Sequence, residues 1–305
     1  MPVDSTSETT VHLDPYYKTL DLNSACLFTG APQRNTNGEH VIPDWMQRLY
    51  KLRQRSVEMG EYPRMARVMQ FRAPAAQEPN NFFGTVEQRI RQHQASVDEL
   101  HLWSKKIAVG MIWNHHRMAQ NARHPNAPEE LDERLLRFAL KDFHNEFKQF
   151  REGTYQRTGP TLVLPTKISG CWLSNAFGAV VDTGHSETHD AMCLFSFLAV
   201  SHDGELIVSA FYNAELSFET GRLRDEWASS GLDKCTDDLR IRAGLAVVFA
   251  ESISTPFERK PQYDDQLLDL IAFQLGIILI RTPEGKHYRR RTLEDQPPTP
   301  VVSRR

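Results

Sequence analysis

The sequence predicts an α+β protein, in which an irregular amino-terminal region and a helical segment precede a carboxy-terminal domain rich in antiparallel sheet. Three observations support this prediction. Prolines interrupt the first part of the chain, apolar residues then recur at helical spacing, and short β-like runs follow from about residue 154. The predicted divisions are 1–97, 98–152, 153–290 and a flexible tail at 291–305.

Two helices are predicted in the segment at 98–152. The first begins at Asp98, and its apolar residues recur at three- and four-residue steps, which marks one buried face. These residues are Leu100, Trp103, Ile107 and Met111. The second begins at Pro128, where a missing N–H costs nothing. Its buried stripe comprises Leu136, Leu140, Phe143, Phe147 and Phe150. Because of the prolines, no long helix is expected before residue 97.

The C-terminal domain is predicted from four short apolar runs, which we interpret as strands. They lie at 161–165, 192–200, 205–211 and 241–250. Asp203 and Gly204 form a typical hairpin turn between the second and third runs. A last helix is predicted from about Asp264 to Leu279. Its inward residues are Leu267, Leu268, Ile271 and Leu275.

Composition limits the classes of function. The chain has 305 residues, 40% hydrophobic and 25% charged, which are values of globular proteins. With a formal net charge of −3, any nucleic-acid-binding surface must be a local basic patch. No apolar run is long enough to span a membrane, and the four cysteines form no CxxC pair. We expect a cytoplasmic protein with reduced thiols and no membrane association.

One segment, residues 48–72, contains such a local basic patch. It has seven basic residues against Glu58 and Glu61, a local excess of five positive charges. The basic residues are Arg48, Lys51, Arg53, Arg55, Arg64, Arg67 and Arg72. Side chains of this kind contact phosphates and give affinity without sequence readout. We expect this segment to bind nucleic acid, with a solvated charged face as the alternative interpretation.

Two stretches flank the basic segment and belong together as a motif. Residues 26–45 read CLFTGAPQRNTNGEHVIPDW, and residues 74–90 read PAAQEPNNFFGTVEQRI. The first resembles the first half of a zinc-ribbon HNH (ββα-metal) endonuclease, where a CxxC loop precedes Glu-His-x-x-Pro-x-Trp. The second resembles that family's second half, Pro-x-Cys-x-x-Cys-Asn-Asn followed by Gly and Glu. A helix with Trp103, Lys105 and Lys106 resembles the one that often follows.

The departures from the family pattern concern its structural zinc. Of the four cysteine positions, only Cys26 keeps a cysteine, and the others hold Thr29, Ala76 and Pro79. No structural zinc is therefore expected. If the fold is retained, aromatic packing must join the two halves. The available side chains are Phe28, Trp45, Phe82 and Phe83.

The resemblance implies a role for each matching residue. His40 would be the general base that takes a proton from water. Glu39 and Asn80 would bind a divalent metal, with Asn81 and Glu87 as reserve ligands. Since these donors are hard oxygen atoms, Mg²⁺ or Mn²⁺ is the expected cofactor. The implied activity is metal-dependent cleavage of DNA phosphodiester bonds by an N-terminal HNH-like module.

The biological setting follows only by analogy. HNH-like modules often accompany other domains in phage-defence proteins and mobile elements, so a defence role is an analogy. The C-terminal domain contains no motif that names its role. Binding of nucleic acid, of a signal molecule, of a protein partner or of a second copy of the chain stays open for it.

Three alternatives remain open. The first is an HNH-like binding or structural module whose metal site is lost. The second is a cysteine hydrolase using Cys171, which is followed by a Trp. His185 and His189 follow too closely in the sequence for a papain-like arrangement, and His287 lies in a basic terminal stretch. Packing of a small apolar cysteine is the more ordinary interpretation. The third is a viral or structural assembly protein.

Overall fold

A computed structural model describes ten parts of the chain. They are residues 19–32, 38–59, 64–119, 133–168, 171, 173–182, 191–211, 220–252, 261–292 and 294–296. Helices and antiparallel strands are mixed throughout these parts, so the predicted α+β class is confirmed. Pro128, His185, His189 and residues 297–305 lie outside the described residues.

The described elements are short strands near the N-terminus, two long helices, a sheet and further helices. The strands are β1 Glu39–His40, β2 Ser56–Met59, β3 Arg64–Arg67, β4 Arg72–Ala73, β5 Thr161–Pro165, β6 Leu173–Asp182, β7 Ala191–His202, β8 Glu205–Phe211, β9 Ile277–Thr282 and β10 Gly285–Arg290. The helices are α1 Asp44–Leu49, α2 Gln77–Arg91, α3 Val97–Ala119, α4 Glu133–Glu152, α5 Thr220–Ser229, α6 Asp238–Ser252 and α7 Pro261–Gln274.

An antiparallel four-stranded sheet, in the order β5-β8-β7-β6, lies in the middle of the packing. Alternate side chains of β7 enter two different cores because successive side chains point to opposite faces. Leu198 and Val200 join the core formed with the N-terminal elements, α3 and α4. Phe197 and Ala199 join the core formed with α5, α6 and α7. The sheet is thus covered on both faces.

Three of the four predicted strands are confirmed, together with the turn that joins two of them. The runs at 161–165, 192–200 and 205–211 fall within β5, β7 and β8. Asp203 and Gly204 have φ angles of +47° and +82°, as a tight hairpin turn between right-twisted strands requires.

The prediction of a strand at 241–250 is wrong, because this run lies in helix α6. Ile241, Leu245 and Phe249 are buried, but so are Ala243, Ala246 and Val248 around the helix. A helix with little exposed surface has no polar stripe, and its sequence then resembles that of a buried strand. Besides its strands, the C-terminal domain thus contains the helices α5, α6 and α7.

The expectation of no long helix before residue 97 is also wrong. Helix α2 has 15 residues and buries Pro79, Phe83, Val86 and Ile90 at helical spacing. Pro79 is tolerated because it lies in the first turn, where backbone N–H groups have no partner within the helix.

The last helix is confirmed as an element but ends earlier than predicted. Helix α7 stops at Gln274, Gly276 follows with a φ of +76°, and strand β9 begins at Ile277. Glycine adopts this left-handed conformation without steric cost and so ends the helix. In the segment predicted as a tail, Asp295 accepts a hydrogen bond from Arg289 Nη1 at 2.7 Å.

The β7–β8 turn contacts the N-terminal elements through a cluster of aromatic and imidazole rings. The hydroxyl of Tyr50 lies 2.6 Å from His202 Nδ1, and the ring of His93 stacks on His202 at 5.2 Å. Asp203 and Glu205 lie 3.2 and 3.3 Å from the ring nitrogens of His93. Within the described ranges, no helix combines the length and apolar character that crossing a membrane requires.

Candidate active site

Strands β1 and β4 and helix α2 bring the two motif stretches together. The strands pair antiparallel, with Glu39 opposite Ala73 and His40 opposite Arg72. The backbone then leads through a short loop into α2. The two strands and the helix form one compact frame. The 31 residues at 41–71 lie between the two strands in the sequence.

The loop containing Cys26 packs against the segment that precedes α2. The N–H of Leu27 donates to the carbonyl of Pro74 at 2.7 Å, and the N–H of Ala76 donates to Cys26 Sγ at 3.3 Å. Thus Cys26 and Ala76, two of the four positions that the resemblance matches to zinc-ribbon cysteines, are in direct contact. The loop and the helix meet without any second sulfur at this contact.

Aromatic packing joins the two motif stretches through Phe28 and Phe83, whereas Trp45, which was also named for this role, packs on His202. The rings of Phe28 and Phe83 lie 5.2 Å apart, and Phe28 also lies 5.2 Å from Phe147 of α4. Phe82 meets Phe147 edge to face at 5.9 Å. Each such pair contributes about 0.5–1.5 kcal/mol beyond the area it buries. The loop is therefore fixed by apolar packing that extends into α4.

An open groove of about 460 Å³ lies between β1 and α2. Its lining residues are Glu39, Asn80, Asn81, Gly84, Thr85, Glu87 and Gln88. All four residues predicted as metal ligands are therefore neighbours on one surface. Asn80 is half-buried, Asn81 is exposed, and both line the groove. The side-chain amide oxygens of both residues are therefore available as metal ligands.

Lys106 of α3 supports the acidic side of this groove, and the sequence did not identify it as a site residue. Its ammonium is fully buried and donates to Glu39 Oε1 at 2.5 Å, to Glu87 Oε1 at 3.0 Å and to the carbonyl of His40 at 2.8 Å. The helical periodicity of α3 marked Leu100, Trp103, Ile107 and Met111 as buried and assigned no position to Lys106. Glu39 and Glu87, one in each motif stretch, were the signal that could have indicated this lysine, because carboxylates at the edge of a core need a cation.

Burial and charge act in opposite directions on this cluster. Burial raises the pKa of Glu87, and Lys106 only partly offsets that effect. Burial alone would lower the pKa of Lys106, but Glu39 and Glu87 reverse this, and the net pKa is raised. The ammonium therefore stays charged between the two carboxylates. Among the described residues, the second oxygen of each carboxylate, Oε2, has no hydrogen-bond partner within the protein.

The imidazole of His40 contacts an arginine and an aspartate, whereas Lys106 contacts His40 only at its carbonyl. Its Nε2 lies 2.9 Å from Arg72 Nη2 and 4.0 Å from Asp44 Oδ1. A guanidinium can only donate, so Nε2 is the acceptor and the neutral ring carries its proton on Nδ1. Burial, followed by the charge of Arg72, lowers the pKa of His40. The imidazole is neutral at neutral pH, as a general base must be.

The basic segment follows β1 and is mostly exposed. Arg48 and Arg53 both pair with Asp44, and Arg67 donates to Gln54 at 3.2 Å. Lys51 and Arg55 are exposed. Arg64 is on strand β3, and its side chain is not among those described. Two of the basic residues, Arg48 and Arg53, are thus held by one aspartate.

The donor set of the groove fits a hard divalent ion only in part. Among the described residues, no cluster of three or more His, Cys, Asp or Glu side chains could hold a metal ion. Glu39 and Glu87 offer one free carboxylate oxygen each, and Asn80 and Asn81 offer amide oxygens. Oxygen donors of this type suit Mg²⁺ or Mn²⁺. Lys106, however, already supplies one positive charge to both carboxylates.

Cys171 has the properties of a packed cysteine. It is half-buried against the N-terminal core, and burial raises the pKa of its thiol to about 12. A nucleophilic cysteine needs the opposite shift, toward the thiolate. The candidate partners His185 and His189 lie outside the described residues, and His287 is exposed on β10.

No protein-family model, curated protein or solved structure matches this chain.

Proposed function

We propose that this chain is a metal-dependent endonuclease of the HNH type that cleaves DNA with His40 as general base. The observation that supports this most is the frame of β1, β4 and α2, in which Glu39, Asn80, Asn81 and Glu87 line one groove. His40 directly follows Glu39 on β1. The contact between Cys26 and Ala76, at positions of the missing zinc cysteines, supports the same interpretation of the N-terminal region.

In the proposed mechanism, His40 accepts a proton from a water molecule, which then attacks the phosphorus. Its lowered pKa keeps the ring neutral at neutral pH, and Arg72 must release Nε2 before a water molecule can reach this nitrogen. Glu39 and Asn80 would hold the metal, with Asn81 and Glu87 as further donors. A bound Mg²⁺ or Mn²⁺ supplies Lewis-acid stabilisation of charge on the phosphate and the departing oxygen. Lys106 keeps Glu39 and Glu87 in place at the edge of the core.

The basic segment would position the substrate. Exposed Arg48, Arg53, Arg55, Arg67 and Lys51 lie on the chain that immediately follows the proposed base. Contacts to phosphates orient a nucleic acid without reading its sequence. By analogy with other proteins that contain such modules, a role in phage defence or in a mobile element is proposed for the whole chain.

A plasmid-nicking assay with Mg²⁺ and with Mn²⁺ tests the activity. Wild type is compared with His40→Ala and with His287→Ala, which changes an exposed histidine on β10 and serves as the matched control. We expect wild type and His287→Ala to nick equally and His40→Ala to lose at least about 100-fold, the usual contribution of a general base. Equal nicking by His40→Ala would exclude His40 as the base.

A second candidate function is binding without cleavage. It is supported by protein cations that already contact the proposed metal ligands and the proposed base. Lys106 contacts both carboxylates, and Arg72 covers His40 Nε2. An HNH-like module whose metal site is lost would bind nucleic acid or a partner without cleaving it. Absence of nicking by purified wild type with either metal, together with unchanged melting temperature on adding Mn²⁺, would favour this function.

A further inference from the structure

We propose that a second groove, which adjoins His40 through Asp44, binds one unpaired nucleotide of the substrate. This inference rests on the proposed nuclease function and names the form of nucleic acid that the site accepts. The groove has a volume of about 460 Å³, within the range of roughly 300–1,000 Å³ that small-molecule sites occupy. It is lined by Asp44, Trp45, Arg48, Leu49 and Arg91.

The apolar part of the groove consists of two side chains suited to a base. Leu49 is 56% exposed, more than any other large hydrophobic side chain in the part of the chain that the structure describes. Trp45 is half-buried and packs edge to face on His202 at 4.9 Å, so its indole is already fixed. A fixed aromatic ring beside an exposed aliphatic side chain is a stacking surface that any base can use.

The charged part of the groove suits phosphate. Arg48 has a side chain 72% exposed at the end of α1, and Arg91 is exposed at the end of α2. Asp44 is the acidic lining residue, but it already pairs with both Arg48 and Arg53. Three arginines against one aspartate leave an excess of two positive charges around the groove. Guanidinium groups bind phosphate oxygens in a bidentate geometry.

The position of the groove connects it to the proposed catalytic base. Asp44 lines the groove, and its Oδ1 lies 4.0 Å from His40 Nε2. Glu39, which lines the first groove, and His40 are successive residues of β1, so their side chains point to opposite faces of the strand. A strand of nucleic acid that passes His40 would thus meet acidic and amide groups on one side and an aromatic, basic groove on the other.

An unpaired nucleotide fits this arrangement better than a base pair does. A base within a duplex is covered on both faces by its neighbours and cannot stack on Trp45 or Leu49, whereas an unpaired base can. The phosphates on either side of such a base would reach Arg48 and Arg91. We therefore expect the groove to favour single-stranded or frayed DNA over closed duplex.

The test measures binding without catalysis. A fluorescein-labelled oligothymidylate and a blunt duplex of equal length are titrated with full-length protein in EDTA, and anisotropy is recorded at several salt concentrations. The variants are Leu49→Ala, Trp45→Ala and the pair Arg48→Gln with Arg91→Gln. Arg224→Gln on α5, an exposed arginine remote from both grooves in the chain, is the matched control.

We expect Leu49→Ala and Trp45→Ala to raise the Kd for oligothymidylate by at least about fivefold, the lower bound for loss of one stacked base, and to leave duplex binding unchanged. The arginine pair should lower the salt slope for the single strand by about 1.4, since each phosphate contact contributes about 0.7. Arg224→Gln should behave as wild type. Leu49 is exposed, so Leu49→Ala retains the fold even if Trp45→Ala does not.

The inference is overturned if wild type does not bind oligothymidylate, if Leu49→Ala and the arginine pair bind it as wild type does, or if single strand and duplex weaken equally. These outcomes are separable from failure of the nuclease proposal. Binding through the groove without any nicking leaves the groove supported and removes the catalytic role. If nicking and binding are unchanged in every groove variant, the nuclease proposal is supported and the groove is excluded as a nucleotide-binding site.

Discussion

The ammonium group of Lys106 lies 2.5 Å from Glu39 Oε1, although the two residues are 67 positions apart in the sequence. The side chain of Lys106 has no exposed surface, and that of Glu39 is 13% exposed. A charge in this environment is stable only with its partner, because leaving one ion unpaired costs more than the pair itself contributes. The contact therefore holds the candidate catalytic strand on the core.

The first prediction is that Lys106→Met destabilises the protein by about 3–5 kcal/mol, because Glu39 and Glu87 are left facing each other without a cation. Urea unfolding at neutral pH measures this. Lys148→Met, at a lysine 74% exposed on α4, should change the free energy of unfolding by less than about 0.5 kcal/mol. Adding Glu87→Gln to Lys106→Met should recover part of the loss, and no recovery would contradict the electrostatic explanation.

The second prediction concerns acid. His144 Nε2 lies 3.1 Å from the carbonyl of Leu27, and burial lowers the pKa of His144 to about 4. The unfolded chain therefore binds this proton near pH 6.5 and the folded chain only near pH 4, so stability is complete above pH 6.5 and falls as pH decreases toward 4. The loss due to His144 is on the order of 3 kcal/mol.

Urea unfolding at pH 7, 6, 5 and 4 checks the second prediction. His144→Gln should flatten the dependence between pH 6.5 and 4, whereas His287→Gln, at an exposed histidine, should leave it unchanged. His101, which is buried with its pKa well below the usual value, contributes in the same direction. Equal slopes for wild type and His144→Gln would show that His144 is not buried as a neutral group.

The third prediction is that Cys171 resists alkylation. With a thiol pKa of about 12 against an ordinary value of 9.0, its thiolate fraction at pH 8 is lower by about three orders of magnitude. Iodoacetamide labelling followed by mass spectrometry should show Cys171 reacting far more slowly than the same cysteine in urea. Rapid, selective labelling of Cys171 in the folded protein would contradict this prediction and support the cysteine hydrolase alternative.

The fourth prediction uses the close contact of two elements at the candidate site. A Cβ added at Gly110 of α3 would lie 2.7 Å from Val41 Cγ2, next to the residues of β1. Gly110→Ala should therefore cost about 1–3 kcal/mol through overpacking and reduce any nicking activity, because β1 must shift. Gly221→Ala on α5 meets no atom within 4 Å and should not destabilise. Thermal unfolding compares the two variants.

Local patterns explain which elements the sequence predicts correctly. Strands β5, β7 and β8 are short apolar runs, and a turn requiring positive φ joins two of them at Asp203 and Gly204. Both features act over a few residues, so they are readable without tertiary information. Helix α6 has no such local signature, because packing buries it on most sides and removes the polar stripe that distinguishes a helix.

The mixed α+β class and the central strands follow from the sequence alone, which also predicts Glu39, His40, Asn80, Asn81 and Glu87 as motif residues. Tertiary packing places the start of α2 before Pro79 and directs Lys106 into the core, where it contacts both carboxylates. The physical reason is that a side chain's charge partners are set by elements far apart in the chain. Periodicity describes the two faces of one helix, whereas the ion pair of Lys106 depends on three elements packed together.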